Sequence, residues 1–175
     1  MREFRYNWSS GKSVSVFDSI IVSVDTDVGI TGWGECCPLG SAYLPAFAAG
    51  ALAGIHELAP NLIGQDPRDI NLVKFEMDRV LKGHSYAKSP IDMACWDILG
   101  QFANTPVSTL LGGVQVESFP LYRAVSMESA DAMVAKVMRY REEGYSKFQL
   151  KVGGDVMEDV ERVRRVRESL TGGEA

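Results

Sequence analysis

Lys147, Gln149 and Lys151 alternate with Phe148, Leu150 and Val152, and Gly153 and Gly154 follow. Such alternation reads as a strand, in which residues two apart share a face, so Gln149 and Lys151 point the same way. A helical stretch and a glycine turn precede this strand, and another helical stretch follows the two glycines. The unit is therefore βα, with a lysine at the C-terminal end of its strand. In a parallel α/β fold that end is where chemistry is done. An amine there has the residue type for acid–base work once its pKa is brought down. Lysine is also the usual solvated surface charge. The flanking helices argue for a sheet covered on both faces or a closed barrel, with little open sheet.

The elements that must hold this strand lie on both sides of it. Ser118 to Val125 reads as a short strand. Ser129 to Gly144 reads as a helix with Ala130, Met133, Val134 and Val137 on one side. Asp155 to Leu170 reads as a second helix, with Val160, Val163 and Val166 inward and Arg and Glu outward. The order βαβα predicts parallel strands with right-handed crossovers. Two such units cannot close a sheet or cover both strand edges.

The earlier part of the chain has a different period. Val14 to Phe17 and Ser19 to Val24 are rich in β-branched residues, Asp25 to Gly29 is a turn cluster, and Ile30 to Cys36 resumes as a strand. That is an antiparallel hairpin. Gly32 and Gly34 flanking Trp33 predict another backbone packed closely there. Pro38 to Pro45 is a loop carrying Tyr43, which either contacts a ligand or packs the loop down.

Ala46 to Leu58 is helix-prone and Ala59-Pro60-Asn61 stops it. Asp66 and Pro67 predict a helix cap and first turn, with Ile70, Val73, Met77, Val80 and Leu81 as the apolar stripe and Gly83-His84 as the break. Ser89-Pro90 predicts a further helix start. Ile91, Ala94, Cys95, Ile98, Leu99 and Phe102 face its core, and Asp92 and Asp97 read as structural. Leu110 to Gly113 marks a domain junction.

Composition limits the possible partners. The chain has 175 residues, 46% hydrophobic and 23% charged, enough for one ordinary core or for one domain and part of a second. A net charge of −5 and a pI near 5.1 argue against nucleic acid or an anionic membrane. No apolar run approaches a span of roughly 20 residues, and Met1 to Arg5 lack a signal-peptide core, which predicts a cytoplasmic protein. Cys36, Cys37 and Cys95 have no zinc-ligand spacing and read as reduced thiols.

Ala87-Lys88-Ser89-Pro90-Ile91-Asp92-Met93-Ala94-Cys95-Trp96-Asp97-Ile98-Leu99-Gly100-Gln101, with Pro106 and Leu110 to Gly113, resembles the signature of the mandelate racemase/muconate lactonizing enzyme group of the enolase superfamily. Gly32-Trp33-Gly34-Glu35 and Gln149-Leu150-Lys151-Val152-Gly153 match the same group in the same order. The resemblance runs from about Ser10 to Ala175. Gly83 to Lys88, Cys95 to Ile98 and Phe148 to Asp155 look most like the branch acting on proline betaines and hydroxyprolines, the 2-epimerases and cis-3-hydroxyproline dehydratases.

The resemblance implies an α+β capping domain, residues 1–113, followed by the first two βα units of a TIM-like barrel, residues 114–175. It implies that Lys151 abstracts a proton α to a carboxylate, the family placing its base at the second lysine of Lys-x-Lys. Gln149 stands in place of the first lysine, so a like-charged neighbour is missing, which leaves desolvation and the metal to lower the base's pKa. Gln149 and Tyr43 are implied substrate contacts, with Tyr43 over the barrel mouth. His84 and Lys88 read as structural.

The family also implies Mg²⁺, with ligands expected beyond residue 175 and none in this chain. The implied partners are a small carboxylate substrate and either a second copy of the chain or the remaining barrel half. Tyr6 to Trp8 imply a missing or shortened first capping strand, and residues 171–175 stand where a third barrel strand would be expected. These features predict the N-terminal portion of a racemase, epimerase or dehydratase, inactive alone. The alternative is a non-catalytic, stand-alone capping or assembly domain.

Overall fold

The computed structural model describes residues 6–7 and 11–171. The readings of residues 1–5, of Trp8 and of the last four residues lie outside the described residues. By internal contacts the chain divides into two compact units, one of residues 16–115 and one of residues 1–15 with 116–175.

The first unit is built on an antiparallel hairpin, β3 (Ile20–Asp25) and β4 (Thr31–Cys36), in the register Val22↔Gly34 and Val24↔Gly32. The turn cluster closes it as expected. The Thr26 hydroxyl donates to the Ile30 carbonyl and accepts from the Ile30 amide, and Gly29 takes a φ of 80°. Three helices cover one face: α1 (Ala48–Leu62), α2 (Ile70–Val80) and α3 (Ser85–Ala103). Ile55, Leu58, Val73, Met77, Ala87, Ile91 and Cys95 form the buried core, with Ile20 and Val22 against it. The stripe predicted from Ile70 to Leu81 therefore faces inward. A single turn, α4 (Val107–Leu110), follows α3.

The close approach predicted at Gly32 and Gly34 is real. A Cβ on Gly32 would lie 2.1 Å from the Ala94 carbonyl oxygen, and one on Gly34 would lie 1.9 Å from that of Pro90. Helix α3 lies backbone-on-backbone against β4 and also finishes its outer edge. Asp97 accepts from the Trp33 amide at 3.0 Å and Gln101 donates to the Thr31 carbonyl at 2.8 Å. Asp97 is structural, as predicted.

Several local signals misled. Helix α1 does not stop at Pro60 but runs through it to Leu62; a proline in the last turn removes one ladder bond only. Asp66 does not cap α2. Its carboxylate closes a turn on the Arg68 amide and guanidinium, and the helix starts four residues later. Ser89 is not a cap either: α3 begins at Ser85, with Pro90 inside it. Tertiary contacts set that earlier start. Ala87 packs where a side chain on Gly54 would collide with it, and Lys88 pairs with Asp78 at 2.7 Å.

Phe102 is not in the core but 57% exposed, with the Arg68 guanidinium 4.2 Å over its ring. By that point Gln101 has already reached the first residue of β4.

In the second unit β1 (Tyr6–Asn7) pairs antiparallel with β2 (Ser13–Val14), so the strand expected over Val14 to Phe17 ends at Val14. Then come β5 (Tyr122–Val125), α5 (Ala130–Glu142), β6 (Lys147–Leu150) and α6 (Val156–Thr171). Strand β5 is shorter than the predicted 118–125, and residues 118–121 are exposed. The two strands are parallel, as the βαβα order required.

The second core gathers Val125, Met133, Val137, Tyr140 and Val166, with Phe148 and Leu150 against them. Both helices thus contribute to the core on the Phe148 and Leu150 side, and Lys147 and Gln149 on the other face are exposed among the described residues. Helix α6 also turns differently from its predicted stripe. Val166 is buried, but Val160 and Val163 are 56% and 46% exposed. The position one turn before Val166 is taken by Arg162, whose guanidinium is bonded on three sides.

Candidate functional site

The site grows from the ends of β5 and β6. The pairs Ala124↔Gln149 and Val125↔Leu150 set the register, and the Lys151 amide donates to the Val125 carbonyl at 3.0 Å. The ladder therefore continues one residue past the strand, and Lys151 leaves it half-buried, two residues after Gln149. Leu150 and Val125 point into the helix side, which places Ala124, Gln149 and Lys151 on the opposite row. The structure thus brings two of the predicted site residues together. Tyr43, 51% exposed, is in the other compact unit, in a turn where its own amide and that of Leu44 donate to Gly40.

Ser126 was missed from sequence. It follows Val125 as Lys151 follows Leu150, so the two stand side by side at the strand ends. At 4% exposure it is the buried polar residue of the described chain, and its hydroxyl has no hydrogen bond among the described residues. A buried hydroxyl without a partner needs an explanation. The available signal was a small polar residue directly after the valine that ends a strand, too common to single out.

The turn after Lys151 is tied down. Gly153, at a φ of 120°, and Gly154 both donate their amides to one oxygen of Asp159, at 2.8 and 3.0 Å. These bonds, led by that from Gly153, hold the Asp159 carboxyl below the usual carboxylate range. Asp155 accepts from the amides of Met157 and Glu158 at the start of α6. The glycine turn is therefore filled by the protein's own carboxylate rather than presented as a phosphate cradle.

His84 opens α3 in the left-handed region, its Nδ1 2.8 Å from the Lys82 carbonyl oxygen, and Lys88 is bound to Asp78. Both serve the fold, as predicted. Among the described residues no three His, Cys, Asp or Glu side chains gather as a cation site. The residues present do not fit Mg²⁺. Among the described residues no helix is long and apolar enough to cross a membrane.

Residues 8–112 match the mandelate racemase/muconate lactonizing enzyme N-terminal domain. The chain belongs to this family. Over 170 residues it is 52% identical to a cis-3-hydroxy-L-proline dehydratase of Roseibium aggregatum, an alignment covering 97% of this chain and 46% of that protein. The crystal structure of N-succinyl Arg/Lys racemase from Bacillus cereus superposes with a TM-score of 0.89 at 36% identity, over 95% of this chain and 45% of that one. An enolase-superfamily member from Roseovarius nubinhibens, crystallised with magnesium, gives 0.82 at 41% identity, over 98% and 48%. The chain spans about half the length of the family members it matches.

Proposed function

We propose that this chain forms the N-terminal part of an enzyme that abstracts a proton α to the carboxylate of a small, hydroxyproline-type acid, leading to dehydration or epimerisation. Residues 1–113 are assigned to the capping domain and 114–175 to the first two βα units of a barrel. Lys151 is the general base, and Gln149 and Tyr43 contact substrate. The observation that carries the reading is the row of Gln149 and Lys151 at the C-terminal end of a parallel strand, in a chain 52% identical to a hydroxyproline dehydratase.

Lys151 is half-buried, which restricts the water that reaches its amine. Its amine is the group that accepts the α-proton. Gln149, two residues earlier on the same row, offers both a donor and an acceptor to a polar substituent. Ser126, beside Lys151, supplies a hydroxyl that a carboxylate would satisfy. No step is assigned to a metal, because these residues form no cage for one. The activity is assigned to the longer polypeptide, and residues 1–175 alone are expected to be inactive.

The test uses the complete gene product, incubated with cis-3-hydroxy-L-proline in deuterated water. Exchange or loss of the α-proton is followed by NMR for wild type and Lys151→Ala. General-base removal costs roughly 10²- to 10⁴-fold. Undiminished proton loss in the variant removes Lys151 from the mechanism. Inertness of the wild type toward proline-type acids, with turnover of another carboxylate, overturns the substrate class.

A further inference from the structure

We propose that Asp159 is a positioning residue for Lys151, acting through the Val152–Gly154 turn. This rests on Lys151 being the base. The turn that carries the chain away from Lys151 has little to stiffen it: Gly153 has a backbone conformation open to glycine, and two glycines in succession resist no rotation. Its rigidity comes from outside. One carboxylate oxygen of Asp159 receives both glycine amides, at 2.8 and 3.0 Å. The other receives Nη1 of Arg162 at 2.7 Å. The same guanidinium donates through Nε to the Glu128 carbonyl at 2.7 Å and through Nη2 to Glu158 at 2.8 Å. Glu128 lies in the turn leaving β5, and its carboxylate holds Lys136 of α5 at 2.5 Å.

A continuous chain of charge-assisted bonds therefore runs from the turn after β6, through Asp159 and Arg162, to the turn after β5. Those turns carry Lys151 and Ser126 away from their strands. Asp159 and Arg162 are both largely shielded from solvent, which strengthens such bonds. A displacement of about 1 Å at a reacting group can cost 10²-fold in rate, so holding this turn bears on catalysis as well as on folding.

Two variants separate the roles. In Asp159→Asn a side-chain oxygen remains for the glycine amides; in Asp159→Ala it does not. In the isotopically labelled 175-residue chain, amide exchange at Gly153 and Gly154 is expected to accelerate roughly 10- to 100-fold in Asp159→Ala and to stay near wild type in Asp159→Asn. In the complete enzyme, kcat for α-proton abstraction is expected to fall roughly 10- to 100-fold in Asp159→Ala, with KM changed less than about threefold and most of the rate restored by Asn. Asp159→Ser, too short to reach both amides, replaces the Ala variant should that one not fold. Wild-type exchange at both glycines, or an unchanged kcat, overturns the inference. Full α-proton loss in Lys151→Ala would instead overturn the assignment of the base, while leaving the amide-exchange result intact.

Discussion

Replacing Gly34 by Ala tests whether the Gly-Trp-Gly segment is a steric device. A Cβ at Gly34 would meet three backbone atoms of Pro90, the carbonyl oxygen at 1.9 Å, the carbonyl carbon at 2.7 Å and Cα at 3.0 Å. None of these can rotate away. Restoring ordinary contact near 3.4 Å requires β4 and α3 to part by about 1.5 Å. The same separation stretches the bond from the Trp33 amide to Asp97, now 3.0 Å, and that from Gln101 to the Thr31 carbonyl, now 2.8 Å. Losing an amide-to-carboxylate bond costs about 1.5–3 kcal/mol and losing a neutral one about 1 kcal/mol. The misfit itself adds about 1–3 kcal/mol.

The expected destabilisation is therefore about 3.5–7 kcal/mol, a large share of the roughly 5–15 kcal/mol that holds a typical domain. Urea unfolding followed by far-ultraviolet circular dichroism measures it. Gly50→Ala is the control, because the three atoms nearest its new methyl all belong to the ring of exposed Phe47, at 3.0–3.4 Å. Helix propensity predicts a change within about 1 kcal/mol there. A Gly34→Ala cost below about 1 kcal/mol, equal to the control, would refute backbone contact as the reason for this glycine.

Two further outcomes follow from the packing and the charges. Asp78, held by Lys74 and Lys88, has its carboxyl lowered from 3.8 to about 2. Its folded pKa lies below the unfolded one, so its stabilisation is present above 3.8 and is lost as the pH falls toward 2; Asp78→Asn is expected to flatten the acid limb of the unfolding curve in that window, and an unchanged limb counts against the pairing. Val166→Ala is expected to cost about 2 kcal/mol and Val160→Ala less than about 0.5 kcal/mol in denaturant unfolding; equal costs would restore the valine stripe as the inward face of α6.

What could be read from sequence was whatever local spacing decides. The hairpin, the α2 stripe, the close approach at Gly32 and Gly34 and the shared row of Gln149 and Lys151 all follow from periods of two or 3.6. Proline and serine misled because their signals are local and the outcome was tertiary. Ser89-Pro90 has the chemistry of a helix start, yet burial of Ala87 against Gly54 and the Lys88–Asp78 pair carry α3 back to Ser85. On α6 the valines suggested an apolar face, but the bonds of Arg162 rotate the helix so that Arg162 and Val166 point inward together. Neither Ser126 beside Lys151 nor the reach of Arg162 to Glu128, 34 residues away, has any signature in local spacing.

Four acids of the described residues are committed to donors of the fold. Asp97 holds the Trp33 amide, Asp78 holds two lysines, Asp155 caps α6, and Asp159 holds the glycine turn. Each is committed to a donor that the fold would otherwise leave exposed or buried without a partner, and Asp78 and Asp159 are correspondingly harder to protonate. A carboxylate so held is a poor base, because taking up a proton means giving up the bonds that lowered its pKa. The Lys151 backbone amide is drawn into the ladder, which fixes where its side chain starts.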